Sequence, residues 1–235
     1  MSENIKKTTK AFRVDLDSSE NQSILKPIAR YSFHNQTHQV SEVAKKIHEL
    51  IKNAPYSNDN IVLKRNEIKE AFFSPFKPQL KTVQVFLSHS HADKNKALEV
   101  KNYLENQTKR KVFVDSLFWD YKDDVLNKLA EYDDISKIED AFTLILRESL
   151  QDMIEKCPYF VFLQSKNSVS NQGLSRITYS AWIYEELKIA HSISAINESR
   201  PILMMESMQV FHDISPFLKS FETITLNELS QQINS

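Results

Sequence analysis

Apolar positions recur along this chain with two different periods, and the change from one to the other marks the elements. From Thr82 the run Val83-Gln84-Val85-Phe86-Leu87-Ser88 is compact and rich in β-formers, which predicts a strand. Asp93 is then placed to cap a helix with Ala97, Val100 and Leu104 at helical spacing. A second strand fits 111–115, followed by an aromatic loop, Leu117-Phe118-Trp119-Asp120-Tyr121. Over 123–157 the spacing of Phe142, Leu146, Leu150, Met153 and Cys157 is helical. The third strand, 159–165, is the clearest. A polar loop, 166–179, leads to a helix opened by Ser180. A fourth strand fits 201–205 and a fifth fits 221–226.

Strands that alternate with helices imply a parallel sheet covered on both faces. Near-continuous apolar runs in the first and third strands agree with that. The fold class expected is therefore α/β, with a five-stranded parallel sheet and helices on both of its faces. Such sheets place ligands at the carboxyl ends of their strands, near the switch in strand order.

The first 80 residues read differently. They are polar and weakly patterned at the start. A helix is expected from Ser41 to about Lys52 and a shorter one from Arg65 to Phe73, with Pro75 and Pro78 as punctuation. Residues 1–80 are expected to be a mostly helical extension, regulatory or partner-binding, and residues 81–235 the main domain. The extension is net basic and the remainder net acidic, which fits a basic flank that meets a partner.

Composition narrows the function classes. The net charge of -1 gives no argument for nucleic acid or a membrane surface. No apolar run is long enough to span a bilayer and none resembles a signal peptide. The one cysteine, Cys157, cannot form an internal disulfide. A cytoplasmic protein is the simplest expectation. The chain has a single glycine, Gly173, so it lacks the Gly-rich phosphate loops of nucleotide-binding motifs.

The stretch Ser180-Ala181-Trp182-Ile183-Tyr184-Glu185-Glu186-Leu187 carries the sharpest chemistry. At about 100° per residue, Ile183, Leu187 and Ala190 share one stripe and Glu186 lies at its edge, about 60° from Ile183. Glu186 also sits one turn beyond Trp182, whereas Glu185 is expected to face water. A carboxylate held against apolar surface has a raised pKa and marks a candidate site. The alternative is a surface helix with two solvated glutamates. At the strand ends, Ser88, His89 and Ser90 are candidates for contact with ribose or phosphate. Asp115 and Asp120 are candidates for sugar hydroxyls, and Phe118, Trp119 and Tyr121 for stacking on a heterocycle. Two histidines two residues apart, without a cysteine partner or an H-E-x-x-H helix, do not make a metal site.

With these residues in place, the region 82–226 resembles a Toll/interleukin-1 receptor (TIR) domain of the stand-alone bacterial kind. Val85-Phe86-Leu87-Ser88-His89-Ser90-His91-Ala92-Asp93 resembles the family's first strand, and Val112-Phe113-Val114-Asp115 its second, with the acidic end. Phe160 to Ser165 followed by Ser180 to Leu187 resembles the third strand and the S-x-W-x-x-x-E-L helix. The resemblance implies a flavodoxin-like sheet and, in enzymatic members, cleavage of the nicotinamide–ribose bond of NAD+. The family's catalytic glutamate lies four residues after the tryptophan, which is Glu186 here. The substrate contacts so implied are Ser88, His89, Ser90, Asp115, Asp120, Ser165 and Trp182. NAD+ is then a substrate and no cofactor is called for.

The resemblance also implies a homo-oligomer built through TIR–TIR contacts, a protein or nucleotide-signal effector, and a role in antiphage defence. Two other readings stay open: a non-enzymatic adaptor that acts by self-association, and an enzyme like the nucleoside deoxyribosyltransferases with Glu186 as nucleophile. The family pattern usually has glycine in the loop after the second strand. This chain has none there.

Overall fold

The structure, a computed structural model, describes residues 9–25, 27, 36–57, 60–61, 63–75, 81–137, 139–172, 175–194 and 211–235. The chain divides into two compact units. One comprises residues 1–28, 83–115 and 151–235, and the other residues 29–82 and 116–150.

The first unit is built on a five-stranded, all-parallel sheet. Its strands are β1 (Lys10–Asp15), β2 (Val83–Ser88), β3 (Lys111–Val114), β4 (Tyr159–Gln164) and the short β8 (Glu222–Thr223), in the order β3-β2-β4-β1-β8. The fold is α/β and flavodoxin-like in class. Between β4 and β8 the chain adds β5 (Ser170–Gln172), β6 (Ser175–Thr178) and β7 (His212–Asp213), a small antiparallel sheet. Helices α1 (Ser19–Ile24), α4 (Lys94–Thr108), α7 (Ala181–Ser194), α8 (Ser215–Ser220) and α9 (Leu226–Asn234) belong to this unit.

The core follows from the strand sequences. Phe86, Phe113 and Phe160 lie in register on neighbouring strands. Their rings stack with centroids 5.7 Å apart in both pairs. Val85, Leu87, Val114, Val161 and Leu163 are fully buried with them. Strands buried on both faces tolerate such continuous apolar runs.

Strand β1 corrects the expected layout. Lys10–Asp15 was expected within a helical extension, yet it pairs with β4 along its whole length, from Lys10 opposite Tyr159 to Asp15 opposite Gln164. It also pairs with β8 on its other side. Phe12, Val14 and the following Leu16 are buried, while Lys10 and Asp15 are exposed. This is the alternation of a strand with one covered face. The fourth place in the sheet, next to β4, therefore belongs to the N-terminal strand. The strand expected at 201–205 lies outside the described residues.

The second unit contains α2 (Gln36–Lys52), α3 (Arg65–Phe73), most of α5 (Asp115–Leu129) and much of α6 (Glu139–Lys156). Phe72 is its centre and meets Phe73, Tyr121 and Phe142 edge-on at 5.2, 5.3 and 6.0 Å. Tyr121 donates its hydroxyl to the Phe72 carbonyl at 3.3 Å, and burial pushes its pKa well up. Residues 117–121 were expected to be a loop and are instead the first turns of α5. Tyr121 is thus a core residue and not a stacking platform.

Candidate functional site at the carboxyl edge of the sheet

Going from β2 to β3 the chain moves toward one edge of the sheet, and β4 then lies on the other side of β2. The switch in strand order falls between β2 and β4, where doubly wound sheets bind ligands. Ser88 ends β2 and stands opposite Phe162 of β4, so Gln164, two residues on, lies on the same face just beyond that pair. Ser88 and His89 are both buried. Ser90 is half-buried, and its carbonyl accepts the Asp93 amide at 2.8 Å in a short 3₁₀ turn.

Asp93 does not cap α4 with its side chain. Its backbone at this position is not extended (φ −100°, ψ 12°), so the carboxylate turns elsewhere. It accepts hydrogen bonds from the Ser165 hydroxyl and from Asn167 Nδ2, the latter at 2.8 Å. Ser165 Oγ in turn accepts the amides of Asn167 and Ser168 at 3.0 and 3.2 Å. The Ser165 hydroxyl is therefore engaged in pinning the turn after β4. Asp17 pins the same turn from just beyond the end of β1. Its carboxylate accepts the Lys166 amide at 2.9 Å and meets Lys96 Nζ at 3.3 Å. The Lys166 amide is the main cause that lowers the Asp17 pKa.

His89 and Asp115 are brought together across β2 and β3. Nδ1 of the ring lies against Asp115 Oδ1, and both side chains are buried. The alignment is not that of a regular hydrogen bond, and the closeness of the two atoms favours one arrangement of the ring proton. A carboxylate oxygen can only accept, so the nitrogen against it carries the ring proton. His89 Nε2 is left pointing away from Asp115. It is buried and has no hydrogen-bond partner among the described residues, and the same holds for Ser88 Oγ and Gln164 Oε1.

Helix α7 starts as the octet predicts. Ser180 Oγ accepts the Ile183 amide at 3.3 Å, and the Ser180 amide is held by Thr178 Oγ1 at 3.2 Å. Ile183, Leu187 and Ala190 are buried, Trp182 is half-buried, and Glu186 is 0% exposed. Glu185 corrects the expectation that it faces water, because it is only 3% exposed. The reason is that α7 is covered on more than one side, by β1, by β6 and by α8. Glu185 Oε1 lies 4.0 Å from Lys188 Nζ, which sits 5.8 Å from the Tyr184 ring centroid. Tyr184 stacks on His212 at 4.7 Å.

The candidates thus fall into groups. His89 and Asp115 touch, Ser88 and Ser90 flank them, and Ser165 joins Asp93. Trp182 and Glu186 share α7, one turn apart. Asp120 lies in α5, within the second unit, and is half-buried. The expected loop 166–179 contains the hairpin β5–β6, with Ser170 opposite Ile177. Gly173 lies outside the described residues. Sequence reasoning missed Gln164 and Lys188. The signal for Gln164 was its place as the last residue of an otherwise apolar strand.

No protein-family model matches the chain, and no curated protein and no solved structure shows significant similarity to it. Among the described residues no helix is long and apolar enough to cross a membrane.

Proposed function

We propose that this protein is an enzyme of the TIR type that cleaves the nicotinamide–ribose bond of NAD+, with Glu186 as the catalytic carboxylate. The observation that carries the reading is the full burial of Glu186 on α7, one turn after the half-buried Trp182. A carboxylate withdrawn from water acts on a nearby positive charge far more strongly than a solvated one. Scission of the glycosidic bond passes through an oxocarbenium-like state. Nicotinamide leaves as a neutral molecule, so the leaving group needs no proton. One fixed negative charge stabilises the ribosyl cation, which water or another nucleophile then captures at C1′, water losing a proton to solvent as the new bond forms. Trp182 walls the site in this reading, and the strand-end residues Ser88, His89 and Ser90 meet the rest of the dinucleotide. Self-association, an effector partner and a part in antiphage defence are proposals that rest on the family resemblance alone.

The test is to incubate the full chain with NAD+ and follow nicotinamide release by chromatography with mass detection. Glu186→Gln keeps the shape of the side chain and removes its charge. It is expected to lower the rate about a hundredfold to a thousandfold, with the circular dichroism spectrum unchanged. No release by the folded wild-type protein, or full activity in Glu186→Gln, removes the reading.

A further inference from the structure

Besides His89 Nδ1, which lies against Asp115 Oδ1, three buried polar atoms at the switch point have no hydrogen-bond partner among the described residues: Ser88 Oγ, His89 Nε2 and Gln164 Oε1. Burial without a partner is costly, and native structures keep few such groups without a reason. All three lie within two residues of the carboxyl ends of β2 and β4, which are adjacent strands. Their chemistry is specific. Asp115 Oδ1 lies against His89 Nδ1; a carboxylate oxygen only accepts, so the neutral ring is favoured with its proton on Nδ1, which makes Nε2 an acceptor. Gln164 Oε1 is an acceptor only. Ser88 Oγ both donates and accepts.

We propose that Ser88, His89 and Gln164 form a subsite for a neutral ligand group that carries two hydrogen-bond donors. In the same arrangement Asp115 is a positioning residue, which sets the subsite by fixing the tautomer of His89. A phosphate offers acceptors alone and would face two acceptors here. A vicinal diol of a sugar and a primary carboxamide both supply two donors and also an acceptor for the Ser88 hydroxyl. Both occur in NAD+, and to that extent the assignment rests on the function proposed above. The match of donors to acceptors does not depend on that function.

The experiment uses the full chain labelled with ¹⁵N-histidine. Two-bond nitrogen–proton correlation spectra distinguish a protonated ring nitrogen from a bare one, and the His89 signals are those lost in His89→Gln. In the free protein His89 is expected to carry its proton on Nδ1 with Nε2 bare. Methyl riboside and nicotinamide are then added separately, and one of them is expected to move the Nε2 signal; which one does so identifies the source of the donors. Inorganic pyrophosphate is expected to leave it in place. Gln164→Met is expected to weaken the active probe about fivefold to tenfold, the usual worth of one hydrogen bond. Asp115→Asn is expected to give a mixture of tautomers.

A protonated Nε2 in the free protein overturns the proposal. So does a shift caused by pyrophosphate alone, or silence with both neutral probes at millimolar to molar concentration. Unaltered affinity in Gln164→Met removes Gln164 from the subsite, and an unaltered tautomer in Asp115→Asn removes the positioning role. Each readout is independent of nicotinamide release. Failure of NAD+ cleavage and failure of the subsite are therefore separate results.

Discussion

Glu185 and Glu186 are adjacent and both are buried. Glu185 has a cation within reach, Lys188 Nζ at 4.0 Å, and that ammonium nitrogen is buried without a hydrogen-bond partner among the described residues. Removing the Glu185 charge leaves Lys188 buried with no counter-charge there. Glu185→Gln is therefore expected to lose about 1–3 kcal/mol of stability. Nicotinamide release per folded molecule is expected to stay within a fewfold of wild type. A thermal melt and a rate normalised to folded protein check both statements, and Lys188→Met added to Glu185→Gln is expected to recover part of the loss. If Glu185→Gln abolishes release without changing the melt, the catalytic role belongs to Glu185. The burial of Glu186 was legible from a 100° helical period. That of Glu185 was not, because periodicity finds the apolar side of a helix and cannot show that a polar side is covered as well.

Strand β1 shows how an element escapes sequence reading. It has only Phe12, Val14 and Leu16 to bury, set between Lys10, Arg13, Asp15 and Asp17. Its stability comes from two neighbours, β4 and β8, which a local pattern does not contain. The segment 117–121 erred the other way. Its aromatic residues read as a ligand-stacking loop, but Tyr121 is drawn into the helical unit by Phe72. Asp17 links elements and gives a pH-dependent prediction. Its folded pKa lies below the ordinary carboxylate value, chiefly through the Lys166 amide. The stabilisation is therefore complete above the unfolded pKa of about 3.9 and is lost as pH falls through the lower, folded value. Asp17→Asn is expected to lower the melting temperature at neutral pH. The gap from wild type is expected to shrink below about pH 4. A gap that is constant from neutral to acid pH would show that the carboxylate charge does not hold the turn.

The two units draw on distant parts of the chain, with residues 1–28 in one and 29–82 in the other. A chain that begins at residue 81 lacks β1 from the sheet and α2 and α3 from the helical unit. It is expected to be insoluble or to lack a cooperative melt. A soluble product with a sharp thermal transition would show that the sheet folds without its fourth strand. The sequence alone determined the α/β class, strands β2, β3 and β4, helix α3 and the placing of Glu186 on an apolar flank. These depend on contiguous residues whose spacing matches a strand or helix period. Only the tertiary structure decided that the N-terminal strand fills the fourth place in the sheet. It also decided that Asp115 lies against His89, that Ser165 is held by Asp93, and that Gln164 shares the switch point with Ser88. Each of these joins residues more than twenty positions apart, and their proximity comes from the pairing of parallel strands, which no local period encodes.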